Sequence, residues 1–357
     1  MFVVSRYIRG GPIPLRNLSL LNQVTHLSST RQLRSDGSTT SGQTPPISLG
    51  ADNTIESNIK TATNRLARTG QKFWKNVSLN ASSTTGKIQV ELDSKPIKTP
   101  AGNNLAVDKN RSLLALLLKA EWDSIPNLKV KPYSLPLTSL VSRCIDLENP
   151  KVEDRDLETK SKSKSKSGAG VGADRDEICG NLLRYLDTDT LLVFSPRAEY
   201  EGALRAAQDR IYLPIIKAIE RFLSKYVDNS HAKSKAVIKL KTLDADVQGL
   251  ASNVQSDLVR QAARNYLDTL SYWDLAVFEK TVLTTKSFIC GILLVQNKSR
   301  TNEYKDLVYT VDDIVEASTL EVIYQTERWG EVEDTHDVNK RDIKRNVSAA
   351  AIVAFEP

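Results

Sequence analysis

Val77-Ser78-Leu79-Asn80-Ala81-Ser82-Ser83-Thr84-Thr85-Gly86-Lys87-Ile88-Gln89-Val90-Glu91-Leu92 reads as two short strands around a polar turn. Phe73, Val77 and Leu79 precede the turn, and Ile88, Val90 and Leu92 then alternate with polar residues. A period of two puts alternate side chains on one face, the pattern of a half-buried strand. Two such runs joined by a polar, glycine-containing connection predict an antiparallel hairpin. A further turn or short strand is expected at Pro96-Ile97-Lys98-Thr99-Pro100.

The rest of the chain turns helical. Asp108 is placed to cap a helix reaching Trp122, with Leu113, Leu114, Leu116, Leu117 and Leu118 expected to be mostly buried. Pro132 to Asp146 reads as an irregular crossing that leads to a short helix. A helix to Leu186, a short buried strand at Thr190–Phe194, a long helix over Ala198–Tyr226 kinked near Pro214, and an edge strand at Ala236–Leu243 follow. Further helices are expected over Val254–Leu270, Tyr272–Val295, Val311–Trp329 and Asp334 to about Ala351. The fold class is α+β, an N-terminal β-rich domain followed by a C-terminal mainly α-helical domain. The expected division is a presequence over 1–35, a disordered linker over 36–69, the β-rich domain over 70–148, an insertion over 149–173 and the helical domain over 174–357.

Charge is informative once it is located. The chain has 49 basic and 43 acidic residues, and Arg6, Arg9, Arg16, Arg31 and Arg34 fall in the first 35, before any Asp or Glu. Without that arm the balance is 44 against 43, so the body lacks the basic excess of a nucleic-acid binder. An arginine-rich, serine-containing, acid-free start with interspersed Phe2, Val3, Val4, Ile8, Leu15, Leu18 and Leu21 fits a mitochondrial presequence, cleaved between about residues 25 and 40. No uninterrupted apolar core of a secretory signal is present there. The insertion runs through Lys160-Ser161-Lys162-Ser163-Lys164-Ser165-Lys166-Ser167 into Gly168-Ala169-Gly170-Val171-Gly172. No strand precedes those glycines, so they do not present a dinucleotide-binding loop.

Chemistry-bearing patterns are sparse. Cys144, Cys179 and Cys290 are odd in number and far apart, which suits a reducing compartment and buried thiols. His231 and His336 are the only histidines of the body, too few for a zinc site with those cysteines. The most apolar run, Phe288 to Val295, is too short to span a bilayer, and the body reads as soluble. No nucleophile elbow, phosphate loop or HExxH is present, and acidic pairs such as Asp187/Asp189 and Glu331/Glu333 read as solvated faces or caps. No cofactor and no enzyme are expected.

One carboxylate stands out. Glu321 lies mid-helix, and its neighbours three and four residues away are Ala317, Ser318, Tyr324 and Gln325. None is basic, so no local ion pair accounts for it. Val315, Val322 and Trp329 recur at spacing seven on one face, and Gly330 sits where a helix C-cap favours positive φ. Glu331, Glu333 and Asp334 then place negative charge at the start of the next helix. Trp74, Trp122 and Trp329 are expected in the core.

Lys72-Phe73-Trp74-Lys75-Asn76-Val77 and Val90-Glu91-Leu92-Asp93-Ser94-Lys95-Pro96-Ile97-Lys98-Thr99-Pro100-Ala101-Gly102-Asn103 resemble the opening motifs of a known family, the mitochondrial ATP synthase F₁ assembly factors that chaperone the alpha subunit. The resemblance continues through Ala120-Glu121-Trp122-Asp123, Leu135-Pro136-Leu137-Thr138-Ser139-Leu140, Ile145-Asp146, Thr188-Asp189-Thr190-Leu191-Leu192, and Leu320-Glu321, Gln325 and Trp329-Gly330. It covers about residues 70 to 350 apart from the insertion. Leu135 stands where the family usually has Met, and Gln208 to Pro214 lacks a tryptophan often found there. The resemblance implies a matrix chaperone, a monomer when free, that holds unassembled F₁ alpha subunit until the beta subunit replaces it. It also implies that a late-helix carboxylate matters, matched to Glu321. Glu321, Gln325, Glu331, Glu333 and Asp334 are therefore the expected partner-binding residues. A matrix hydrolase with an unrecognised site and a permanent structural subunit are the competing readings.

Overall fold

The computed structural model describes residues 72–82, 85–125, 135–150, 175–227, 237–249, 253–298, 304–330 and 336–355. The expected presequence and linker lie outside the described residues, as does the insertion beyond Pro150.

The hairpin forms where the alternation places it. Strands β1 (Val77–Ala81) and β2 (Lys87–Leu92) pair antiparallel, Val77 opposite Leu92 and Leu79 opposite Val90. This register puts Val77, Val90 and Leu92 on one buried face, with Leu79 and Ile88 packed beside them. β3 (Lys95–Pro96) and β4 (Ala106–Asp108) share the other edge of β2. The turn into β3 holds Asp93 and Ser94 at φ 47° and 64°, and the Asp93 carboxylate accepts the Asn76 N–H at 2.9 Å.

Helix α1 (Ser112–Asp123) closes the apolar face of the sheet with Leu114, Ala115, Leu118 and Trp122. It begins after a 3₁₀ turn, Lys109–Arg111, and Asp108 makes no side-chain cap bond there. The expectation that all five leucines are mostly buried is corrected: Leu113 and Leu116 are 63% and 55% exposed. A period of 3.6 turns them to the side opposite Leu114, Leu118 and Trp122.

Trp122 joins this part to the next helix. Its ring meets Trp74 edge-on at 5.0 Å, and its indole N–H donates to Thr138 Oγ1 at 2.9 Å. The neighbouring Glu121 accepts the backbone N–H groups of Leu137 and Thr138 at 2.8 Å each. It thus caps α2 (Pro136–Glu148) from another helix, satisfying donors that have no intrahelical acceptor. Burial nevertheless raises the Glu121 carboxyl above its ordinary range, the hydrogen bonds opposing. Arg143 carries the connection onward through a two-point pair with Glu279 at 2.9 and 3.1 Å.

The strand expected at Thr190–Phe194 shortens to two residues, and of the one expected at Ala236–Leu243, whose first residue lies outside the described residues, only Leu243 is in a strand. After α3 (Arg175–Leu183), Asp189 accepts the Leu191 N–H and closes a 3₁₀ turn, Thr190–Leu192. Only β5 (Val193–Phe194) remains, parallel to β6 (Leu243–Asp244). Before β6 the backbone is served by side chains instead of a ladder: Glu220 accepts the Leu240 N–H, and Gln255 both accepts from Lys241 N and donates to its carbonyl.

Helix α4 (Ala203–Leu223) runs through Pro214, and Gln208 makes hydrogen bonds to the Ser195 N–H and hydroxyl. Short α5 (Ala245–Gln248) and α6 (Asp257–Thr269) follow. The single helix expected over Tyr272–Val295 is two, α7 (Tyr272–Thr285) and α8 (Phe288–Gln296). Lys286 breaks it at φ 57°, and Ser287 caps α8 by accepting from Cys290 N. α8 is buried from Phe288 to Val295, and Gly291 permits its close approach to α7: a Cβ there would lie 2.8 Å from Phe278 Cε2 and Val282 Cγ2. Helices α9 (Val311–Trp329) and α10 (His336–Ala354) complete the bundle. The three cysteines are buried and free, and burial pushes the Cys290 thiol up to about 12. No helix among the described residues is long and apolar enough to cross a membrane.

Candidate functional site

α9 starts firmly. Thr310 Oγ1 accepts from Asp313 N at 3.1 Å, while the Asp313 carboxylate accepts the Thr310 N–H at 2.8 Å, a reciprocal capping box. Ile314, Val315, Ala317 and Leu320 face inward, and the Tyr212 hydroxyl donates to the Ala317 carbonyl at 3.0 Å from α4. The helix ends at Gly330, whose N–H donates to Thr326 O at 2.8 Å with φ 81° and ψ 169°.

With the inner face committed to the core, Glu321 is exposed. Gln325, one turn on, donates its amide to Glu321 Oε1 at 3.0 Å. Among the described residues no Lys or Arg forms an ion pair with Glu321. The structure thus brings Glu321 and Gln325 together, while Glu331, Glu333 and Asp334 lie outside the described residues.

Beside this pair stands a group that the sequence reading missed. The turn entering α4 holds Tyr200 at φ 47°, Glu201 at φ 55° and Gly202 at φ 82°. Two non-glycine residues in the left-handed region cost roughly 1–2 kcal/mol each. The turn sets the Tyr200 ring against Tyr324 and Trp329, each at 5.9 Å and edge-on, with the Arg328 guanidinium 5.4 Å above Tyr200. Desolvation, then the charges of Glu199 and Glu321, raise the Tyr200 phenol, and Arg328 opposes them. Trp329 is 68% exposed, which corrects its expected place in the core. As the last residue of α9 it has passed the point where the helix meets the bundle. Trp74 and Trp122 are buried as expected. Gly202, in a Glu-Tyr-Glu-Gly run before a helix, was the one signal pointing to this turn.

Other acidic residues named in the sequence analysis serve the scaffold. Asp146 accepts from Thr99 Oγ1, from Ala101 N at 3.0 Å and from Asn103 Nδ2 at 2.9 Å, folding the Thr99–Asn103 loop around itself. Asp187 accepts the Gln255 N–H at 2.9 Å and pairs with Arg260. No group of three metal-ligating side chains converges among the described residues.

A family model described as ATP12 chaperone protein matches residues 71–220. The mitochondrial protein ATP12 of Saccharomyces cerevisiae is 54% identical over 309 residues, 86% of this chain and 91% of that protein. The mitochondrial protein of the same name from Schizosaccharomyces pombe is 32% identical over 284 residues, covering 80% and 82%. Crystal structures of Atu1473 from Agrobacterium tumefaciens and Atp12 from Paracoccus denitrificans share the fold, with TM-scores of 0.55 and 0.53 at 20% and 18% identity. Each covers 80% of this chain, and 85% and 97% of its own. The hydrolase reading falls with this result: the chain belongs to the ATP12 chaperone family, a family of chaperones and not of enzymes.

Proposed function

We propose that the chain acts in the mitochondrial matrix as an assembly chaperone of the F₁-ATPase, a monomer when free. It binds the unassembled alpha subunit and hands it to the beta subunit. An alpha subunit alone exposes surface meant for its neighbour, and such patches aggregate. Without a nucleotide cycle, release comes by competition, so the chaperone's affinity must stay below that of the final interface. A few charged contacts beside an apolar patch meet that requirement, adding specificity and on-rate more than affinity.

The supporting observation is Glu321: a solvent-facing carboxylate, steadied by Gln325 and without a cationic partner among the described residues. In this reading it meets a basic group of the alpha subunit, with Gln325 beside it; Glu331, Glu333 and Asp334 are proposed as further partner-binding residues. Co-purification with tagged alpha and beta subunits, run separately, tests the reading. The chain is expected with alpha, in less than stoichiometric amount, and absent from the finished ATP synthase; a fixed stoichiometry there would make it a structural subunit. Glu321→Lys is expected to melt with the wild type and fail to keep alpha soluble. A melting temperature well below wild type would make the residue structural instead.

A further inference from the structure

Resting on that reading, we propose that Tyr200, Tyr324 and Trp329 form an aromatic anchor for the client polypeptide, and that it takes an apolar side chain flanked by Lys or Arg. Trp329 leaves most of its ring in solvent, so a partner can desolvate it without disturbing the bundle. The ring is nonetheless held in place by Tyr200 and by Arg328, whose guanidinium lies 5.8 Å from it. An exposed Trp backed by two half-buried Tyr rings and an Arg has the composition that dominates binding at interface centres. The strained turn at Tyr200 and Glu201 sets the half-buried Tyr200 ring between the core edge and the exposed Trp329, with Tyr324 beside it.

Charge at the rim sets the partner's chemistry. Residues 199–202 and 321–329 present Glu199, Glu201, Glu321 and Glu327 to solvent, against one cation, Arg328, which already lies over the rings. Four carboxylates to one guanidinium repel phosphate, which disfavours a membrane surface or RNA, and attract a basic polypeptide segment. The anchor adjoins Glu321, since the carboxylate raises the Tyr200 phenol, so one client segment can engage both.

The test uses the full chain and purified F₁ alpha subunit at low and high salt. Trp329→Ala is expected to weaken binding roughly tenfold or more with an unchanged melting temperature, and Trp329→Phe to restore most of it. A double Glu199→Lys, Glu327→Lys variant is expected to lose more affinity at low salt than at high salt. If Trp329→Ala binds alpha as the wild type does while Glu321→Lys does not, the anchor is overturned and the carboxylate site stands. If the wild-type chain retains no alpha at all, the chaperone reading falls and takes the anchor with it. A wild-type dimer that Trp329→Ala converts to monomer would show that a second copy covers the rings, and would also overturn the proposal.

Discussion

The Asp189 carboxylate accepts the Ser287 hydroxyl at 2.7 Å, joining residues 98 positions apart. The same group accepts the N–H of Leu191 and of Ile289, each at 2.9 Å, so one buried side chain closes a 3₁₀ turn and opens α8. Full burial pushes its pKa from 3.8 up to about 6 against these hydrogen bonds. The folded chain therefore takes up a proton between pH 6 and 4 that the unfolded chain binds only near 3.8. Stability from this residue rises as the pH falls through that window, by about 3 kcal/mol at most. In Asp189→Asn the response is expected to disappear. Denaturant unfolding at pH 4.5 and 7 checks it: the wild-type minus variant difference should change between the two, and a constant difference refutes the assignment.

Glu121 makes a second prediction because its acceptors face donors that have no alternative. Glu121→Ala leaves the Leu137 and Thr138 N–H groups uncapped next to the buried Trp122. A loss of about 3 kcal/mol is expected, since each buried unsatisfied donor costs roughly 1–3 kcal/mol. Unfolding followed by tryptophan fluorescence measures it, and an unchanged midpoint would mean that water replaces the carboxylate at no cost.

These carboxylates show which parts of the molecule were legible. Period-two alternation located β1 and β2 because one face is buried and the other wet, and period 3.6 located α9 for the same reason. Tyr272–Val295 read as one helix because no Gly or Pro punctuates it before Gly291, and the break is made instead by Lys286 at φ 57°. The segment before β6 alternates like a strand, yet Glu220 and Gln255, distant in sequence, satisfy its backbone. Glu321 was conspicuous for want of a neighbouring cation. Tyr200 was not, because its role depends on a left-handed turn that brings it to a helix more than a hundred residues later. The quoted acidic motifs pointed to the right family, but in Glu121, Asp146 and Asp189 they record how the scaffold is pinned.

Gly291 tests the closeness of α7 and α8. A methyl group there would meet the Phe278 ring and Val282 at 2.8 Å, so one of them must move within a packed core. Gly291→Ala is expected to cost roughly 1–3 kcal/mol, with Gly291→Val worse, and thermal unfolding ranks the series. If Gly291→Ala is stabilising, the gain in helix propensity outweighs the clash, and the two helices are free to separate.

Gly330 connects backbone geometry to the proposed docking surface. At φ 81° and ψ 169° it occupies a region essentially reserved for glycine, while a Cβ at that position would meet nothing within 4 Å. The cost of Gly330→Ala is therefore backbone strain alone, on the order of 1–3 kcal/mol, and the chain can relieve it by unwinding the last turn of α9. That turn carries Arg328 and Trp329 but few buried groups, so the melting temperature should hardly change. Amide exchange at residues 328–330 is expected to accelerate, and retention of the alpha subunit to fall with it. Fast exchange with undiminished retention would show that the order of this helix end is irrelevant to binding. Slow exchange would show that the backbone absorbs the alanine elsewhere.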